Sequence, residues 1–159
     1  MKRALPDVVV FDRDDLGLVV ARMVALAADR SGWLVLDPQV EADDLAHAPR
    51  TGGFFSGRGP AVPELSWVPA QPGRRGTSPI SIGVRHASGP KLVARLADDG
   101  HAVPADWDIV DDSPRRGLVA RLPDPVDQGE VLTWLLRTAE LVTVVPLTGR
   151  WKASEHQYV

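Results

Sequence analysis

Two aspartates follow a short apolar run near the N-terminus, at Asp12 and Asp14. The run covers residues 8–11 and is bounded by Pro6, a pattern that predicts a buried strand. A strand that ends in Asp-x-Asp brings two carboxylates to one end of a sheet. This pair of carboxylates, Asp12 and Asp14, is the sharpest chemical signal in the sequence.

An apolar strand followed by Asp-x-Asp resembles the first motif of haloacid-dehalogenase-like phosphatases. In that family the first aspartate attacks the phosphoryl group and the second acts as acid and base, beside Mg²⁺. The resemblance implies that Asp111 and Asp112 would hold the metal and that Lys91 would offset the charge. The chain has Leu16 where the family has Thr or Val. A small Mg²⁺-dependent phosphohydrolase using Asp12 and Asp14 is thus one hypothesis.

The same N-terminal acids also fit the start of a helix. Asp12 could cap the helix, while Asp14 and Asp15 in its first turn would favour the positive end of its dipole. Apolar residues then recur at helical spacing up to Ala27, and Gly32 follows as a stop signal. This alternative predicts that the carboxylates are structural.

A second candidate is Arg85-His86, at the end of a predicted strand. It resembles the Arg-His-Gly motif of histidine phosphatases, in which the histidine accepts the phosphoryl group and arginines hold its oxygens. Ala87 replaces the glycine, and ordinary use at a strand–helix junction is the alternative. The four histidines lack the spacing of metal ligands, so no metal site is predicted.

Exposed-looking aromatic residues are the third candidate. Phe54 and Phe55 lie between glycines in the loop of residues 51–60, and Arg58 follows them. Such a loop either anchors itself to the core or presents a surface to a partner. Trp151, in a polar C-terminal stretch, either folds back or docks on a neighbouring chain. These four residues are the predicted binding residues.

Composition limits the class of protein. The 159 residues carry a net charge of −3, which argues against a general nucleic-acid binder. Cysteine is absent, which excludes disulfides, thiolate metal sites and thiol nucleophiles. The chain has no long apolar run near its N-terminus, so we expect a cytoplasmic protein without membrane spans. Three lysines and no asparagine suggest a GC-rich bacterial source.

The helices and strands that would position these residues are predicted from the spacing of apolar residues and from the glycines, prolines and capping residues between them. The first unit is β-α-β, ending in a strand at residues 33–36, and residues 38–79 form an irregular Gly/Pro-rich segment with one strand near residues 65–68. The second half has the order β-α-β-β-α-β, with Ser88 and Asp127 as helix caps and a last strand at residues 143–145.

The pentapeptide Leu-Val-Ala-Arg-Leu occurs twice, at residues 92–96 and 118–122. The first copy follows a serine and a proline that favour a helix start. The second lies between Gly117 and Pro123, a window too short for a helix, and is predicted as a strand.

The pattern predicts a single α+β domain over residues 1–159. We expect a mostly antiparallel sheet with about three helices on one face, and a second half in the split β-α-β order of ferredoxin-like folds. The leading functional hypothesis is a non-catalytic binding or assembly protein with a protein partner or self-association. No cofactor is predicted.

Overall fold

The computed structural model describes residues 5–48 and 59–158, which contain nine strands and four helices. In chain order these elements are β1 (Asp7–Asp12), α1 (Gly17–Asp29), β2 (Trp33–Pro38), α2 (Ala42–Ala46), β3 (Glu64–Val68), β4 (Gln71–Gly73), β5 (Gly76–Ser78), β6 (Ile80–Arg85), α3 (Leu92–Asp98), β7 (Asp108–Ser113), β8 (Gly117–Leu122), α4 (Gln128–Val142) and β9 (Arg150–His156).

Seven of the strands form one sheet in the order β1-β9-β2-β3-β6-β8-β7, and every neighbouring pair is antiparallel. The strands β4 and β5 form a separate hairpin. The predicted α+β class with a large antiparallel sheet is therefore confirmed. The segment of residues 38–79 is less irregular than expected, since its described part contributes α2 and three strands.

The core begins with a row of buried side chains across the middle of the sheet. Leu34, Trp67, Ile82 and Ala120 lie opposite one another on successive strands, and each is almost fully buried. Directly opposite residues of antiparallel strands point to the same face. Buried side chains of α1, α3 and α4 join this row in one hydrophobic core.

The other face of the sheet is only partly covered. It carries Val8, Ser154, Val35, Ser66 and Gly83, which lie opposite one another from β1 to β6. We call it the second face. Strands with alternating buried and half-buried residues, as in β2 and β3, are typical of a sheet with one face packed on the core.

The second half has the predicted chain order β-α-β-β-α-β, from β6 to β9, but a ferredoxin-like arrangement in space is not confirmed. That arrangement places the last strand beside the first strand of the unit, which is β6 here, but β3 occupies that position. The last strand, β9, lies instead between β1 and β2, and it is formed by residues 150–156, not by residues 143–145. The C-terminal segment therefore completes the sheet of the N-terminal half.

Two of the predicted helix starts also differ. The helix α1 begins at Gly17, without a side-chain cap and without an acidic residue in its first turn, so the structural explanation of the three N-terminal aspartates is wrong as well. The helix α3 begins at Leu92 and is not capped by Ser88. At α4 the prediction is confirmed, because Asp127 accepts a hydrogen bond from the backbone N–H of Glu130.

None of the helices within the described part of the chain combines the length and the apolar character needed to cross a membrane.

Candidate functional site

The four candidate catalytic aspartates lie on opposite edges of the sheet. Asp12 ends β1 and Asp14 lies in the turn after it, whereas Asp111 and Asp112 belong to β7. The strands β1 and β7 are the two outermost strands. With neighbouring strands about 4.8 Å apart, six intervals separate the edges by roughly 29 Å. The carboxylates cannot share a metal ion, so the phosphohydrolase arrangement is contradicted.

On β7 the two carboxylates have local partners. Asp112 accepts hydrogen bonds from the backbone N–H groups of Leu92 and Val93, at 3.1 and 3.0 Å. Asp111 lies 3.7 Å from the guanidinium of Arg116. The role of Asp112 is thus to satisfy two of the free N–H groups at the start of α3, in place of a cap from α3 itself.

At the opposite edge, Asp12 lies 3.9 Å from Arg150, an ion pair between two exposed side chains. Lys91, the proposed charge-offsetting residue, immediately precedes α3, near β7 and far from Asp12. In residues 5–48 and 59–158, no three His, Asp or Glu side chains are close enough to hold a metal ion.

The Arg85-His86 pair does not form an accessible phosphate site. Arg85, the last residue of β6, lies 3.6 Å from Glu64 on the neighbouring strand. His86 follows it and is only 1% exposed. A nucleophilic histidine must meet its substrate, and a side chain this deeply buried has no room for a phosphoryl group.

The ring of His86 is held by a short polar network. The backbone N–H of Ser88 donates to Nδ1 at 3.2 Å, and the Ser88 hydroxyl lies 2.8 Å from the same atom. Arg95 in turn donates to the Ser88 hydroxyl oxygen at 3.1 Å. These contacts assign the proton to Nε2, which is buried and finds no partner among the described residues.

Burial is the main reason why the pKa of His86 is lowered, and the positive charge of Arg95 adds to the effect while Asp112 opposes it. The imidazole is therefore neutral at pH 7.

Three of the predicted binding residues, Phe54, Phe55 and Arg58, lie outside the described residues. The position just after them is informative, because a Cβ at Gly59 would lie 2.0 Å from the backbone oxygen of His86. The backbone at Gly59 thus packs directly against the backbone of the residue that follows β6.

Trp151 folds back onto the domain, one of the two alternatives considered for it. It lies in β9 with 1% of its surface exposed, and its ring stacks on Phe11 with the ring centroids 6.4 Å apart. A side chain buried this way offers no surface to a partner, so the observation that suggested a binding role for Trp151 is lost.

An open groove of about 660 Å³ runs between α1 and α4. Trp134 and His101 line it and stack on each other, and burial lowers the pKa of His101. Its two arginines, Arg13 and Arg137, both contact Glu140. Both positive charges contact the same carboxylate, so the groove combines apolar surface with ion-paired side chains, not a set of catalytic groups.

The two edge strands of the sheet differ sharply. The register of β7 is interrupted between Ile109 and Asp111, and the strand carries three aspartates, at residues 108, 111 and 112. Bulges and charges are the devices by which proteins prevent an edge strand from pairing with another chain. The edge at β7 is therefore protected.

The edge at β1 has no bulge, and its charges lie only at its two ends, Asp7 and Asp12. All six residues of β1 pair with β9 in an uninterrupted register, and the four inner residues are Val-Val-Val-Phe. Val8 and Val10 are 46% and 56% exposed on the second face. Within the described ranges no strand lies on the outer side of β1. A regular, apolar edge strand is a template for one more strand.

Sequence reasoning identified the strand β1 but not its position at an edge. Its apolar run predicts a buried strand, since such runs are typical of central strands whose two faces are both covered. Only the pairing of β1 with the C-terminal strand β9 reveals that one side of it is free. No local signal in residues 7–12 could have shown this.

Comparisons with protein-family models, with curated proteins and with solved structures find no significant match to this chain.

Proposed function

We propose that the protein is a non-catalytic binding or assembly protein that engages another protein chain by strand addition at β1. The observation that carries the proposal is the contrast between the two edges of one sheet. Both strands expose two apolar side chains, but β7 has a bulge and aspartates within the strand, whereas β1 has a regular register with its aspartates only at the ends. Main-chain hydrogen bonds supply the affinity in this mode of recognition, and alternate side chains supply the specificity.

The second face is part of the proposed surface. We propose that α1, α3 and α4 all lie on the opposite face, which is supported by their shared core with the buried row of Leu34 and Trp67. An added strand would then extend the second face beyond Val8 and Val10 without meeting a helix there. The free edge and the partly covered second face together form one continuous surface.

The loop residues Phe54, Phe55 and Arg58 remain candidate contacts of the partner. The absence of cysteine fits an action in the reducing cytoplasm, where we place the protein. The alternative hypothesis, a Mg²⁺-dependent phosphohydrolase, has no support, because its carboxylates lie on the two separate edges of the sheet.

A photo-crosslinking amino acid at position 10 tests the proposal in cells, with the same group at position 110 as the control. Val10 and Val110 are 56% and 47% exposed, and both lie on edge strands. We expect position 10, but not position 110, to capture one defined protein chain. When purified, that chain must bind the wild type and the Val110→Lys variant but not Val10→Lys. Capture at neither position, or equal binding by both lysine variants, rejects the proposal.

A further inference from the structure

We infer that the chain added at β1 is the β1 strand of a second copy, so that two molecules join their sheets through a two-fold axis. This inference rests on the proposed function and names its partner. It follows from the side-chain order along β1, the placement of its charges and the surface of α1 beside it.

The exposed valines are self-complementary. In an antiparallel pair, directly opposite side chains share a face. A two-fold axis perpendicular to the sheet must therefore pass midway between the two copies of one residue of β1, and that residue names the register. An axis through Val9 places Val8 opposite the partner's Val10, and Val10 opposite the partner's Val8. All four exposed valines of the pair then lie on the second face and cover one another.

The two neighbouring registers place less compatible residues opposite one another. An axis through Val10 would place Val8 opposite the partner's Asp12, an apolar side chain against a carboxylate. An axis through Val8 would place Val10 opposite the partner's Pro6, which has no N–H for the ladder. The Val9 register is the one that pairs both exposed valines with valines, and its carboxylate contacts, Asp7 with Phe11 and Asp12 with Pro6, lie toward the ends of the strand.

The charges at the ends of β1 do not oppose this arrangement. In the Val9 register the aspartates of the two copies are not directly opposite, because Asp7 faces the partner's Phe11. Each carboxylate also has a cation in its own chain. Asp7 lies 3.0 Å from Arg22, and Asp12 lies 3.9 Å from Arg150. Joining the two edges therefore brings no unpaired carboxylate directly against another carboxylate.

The helix layer continues the apolar edge. Arg22 of α1 reaches both Asp7 of β1 and Glu155 of β9, so this side of α1 lies over the two outermost strands at this edge. Leu18, one turn earlier on the same side, is 57% exposed. A second copy at β1 would bring its own α1 toward this residue, which extends the contact beyond the two strands.

Sedimentation velocity on the purified full-length chain tests the inference. We expect a reversible dimer for the wild type and at least about a 100-fold increase in the dissociation constant for Val10→Lys, since each interface buries the added charge twice. The matched variant Val110→Lys, on the protected edge, should dimerise like the wild type. Circular dichroism of both variants verifies that they fold.

The register is tested separately by cysteine pairing, because the natural chain has no cysteine. Under mild oxidation, a mixture of Val8→Cys and Val10→Cys chains should form the mixed disulfide several-fold faster than either variant links to itself. Equal rates in the mixture and in the single variants would overturn the Val9 register.

The outcomes separate this inference from the proposed function. A wild type that stays monomeric at high concentration, while position 10 captures a different protein in cells, rejects the second copy as partner but keeps strand addition at β1. A monomeric wild type with no capture at position 10 rejects both. Equal weakening by Val10→Lys and Val110→Lys also rejects both, since the effect would not depend on β1.

Discussion

His86 shows how a histidine can be buried in the core in its neutral form. Its Nδ1 accepts a hydrogen bond from the Ser88 backbone, and Arg95 lies on the far side of the Ser88 hydroxyl. A proton on Nδ1 would break the first bond and add a positive charge close to Arg95. Asp112 is the one acidic group that favours the charged form, and its carboxylate already accepts two hydrogen bonds from α3.

This arrangement predicts that the free energy of unfolding falls under mildly acidic conditions. The pKa of His86 is lowered in the folded state from an unfolded value near 6.5. The unfolded chain therefore binds more protons, so the stabilisation is complete above pH 6.5 and is lost as the pH falls through the folded pKa. One proton contributes a slope of at most about 1.4 kcal/mol per pH unit.

Urea unfolding between neutral pH and pH 5 measures this slope, and His86→Gln should reduce it. His101→Gln should reduce it separately, because burial also lowers the pKa of His101. A His86 ring resonance that titrates at or above the value of an unfolded histidine would contradict the prediction.

At the scale of elements, the start of α3 depends on a neighbouring strand. The residue before the helix, Lys91, has a left-handed backbone with φ of 58° and provides no side-chain cap. Asp112 of β7 supplies the acceptor instead. The sequence could not have indicated this, because cap signals are searched within a few residues of a helix and Asp112 is twenty positions away.

We therefore expect Asp112→Ala to reduce the free energy of unfolding by about 1–2 kcal/mol, as for the loss of a helix cap. The neighbouring Asp111→Ala is the matched control. Its surface ion pair with Arg116 should contribute less than about 1 kcal/mol. Chemical denaturation of the two variants measures the difference, and equal losses would refute the capping role of Asp112.

Local patterns nevertheless predicted most elements well. The two copies of Leu-Val-Ala-Arg-Leu fold differently, as expected from their flanking residues, the first in α3 and the second in β8. The Asp127 cap was correct for the same reason, since its hydrogen bond spans only three residues. Signals contained within one element were thus sufficient for that element.

At the scale of the whole molecule, the order of strands brings the two ends of the chain together. The strand β9 pairs with β1 on one side and with β2 on the other, in registers of six residues each. Local patterns cannot reveal such pairings, because they depend on residues more than a hundred positions apart. For this reason the sequence could not predict two findings: the wide separation of the candidate aspartates, and the free edge at β1.

Removing residues 150–159 should therefore do more than shorten the chain. We expect the shortened chain to lose its cooperative unfolding transition. Without β9, β1 loses its neighbour and Phe11 loses its contact with Trp151. Thermal unfolding followed by circular dichroism measures the effect. A chain without residues 157–159 only, which follow β9, is the control and should unfold cooperatively. A wild-type transition in the shorter chain would show that β9 is dispensable.

The position of β9 also determines the order of events during synthesis. The strand β1 (Asp7–Asp12) leaves the ribosome well before its partner β9 (Arg150–His156). At 5–20 residues per second, the nascent strand waits roughly 7–30 s for the rest of the sheet. Throughout that time both sides of its valine run are open to other nascent chains. We therefore expect the yield of folded protein in a cell to depend on translation speed and on chaperones that cover β1.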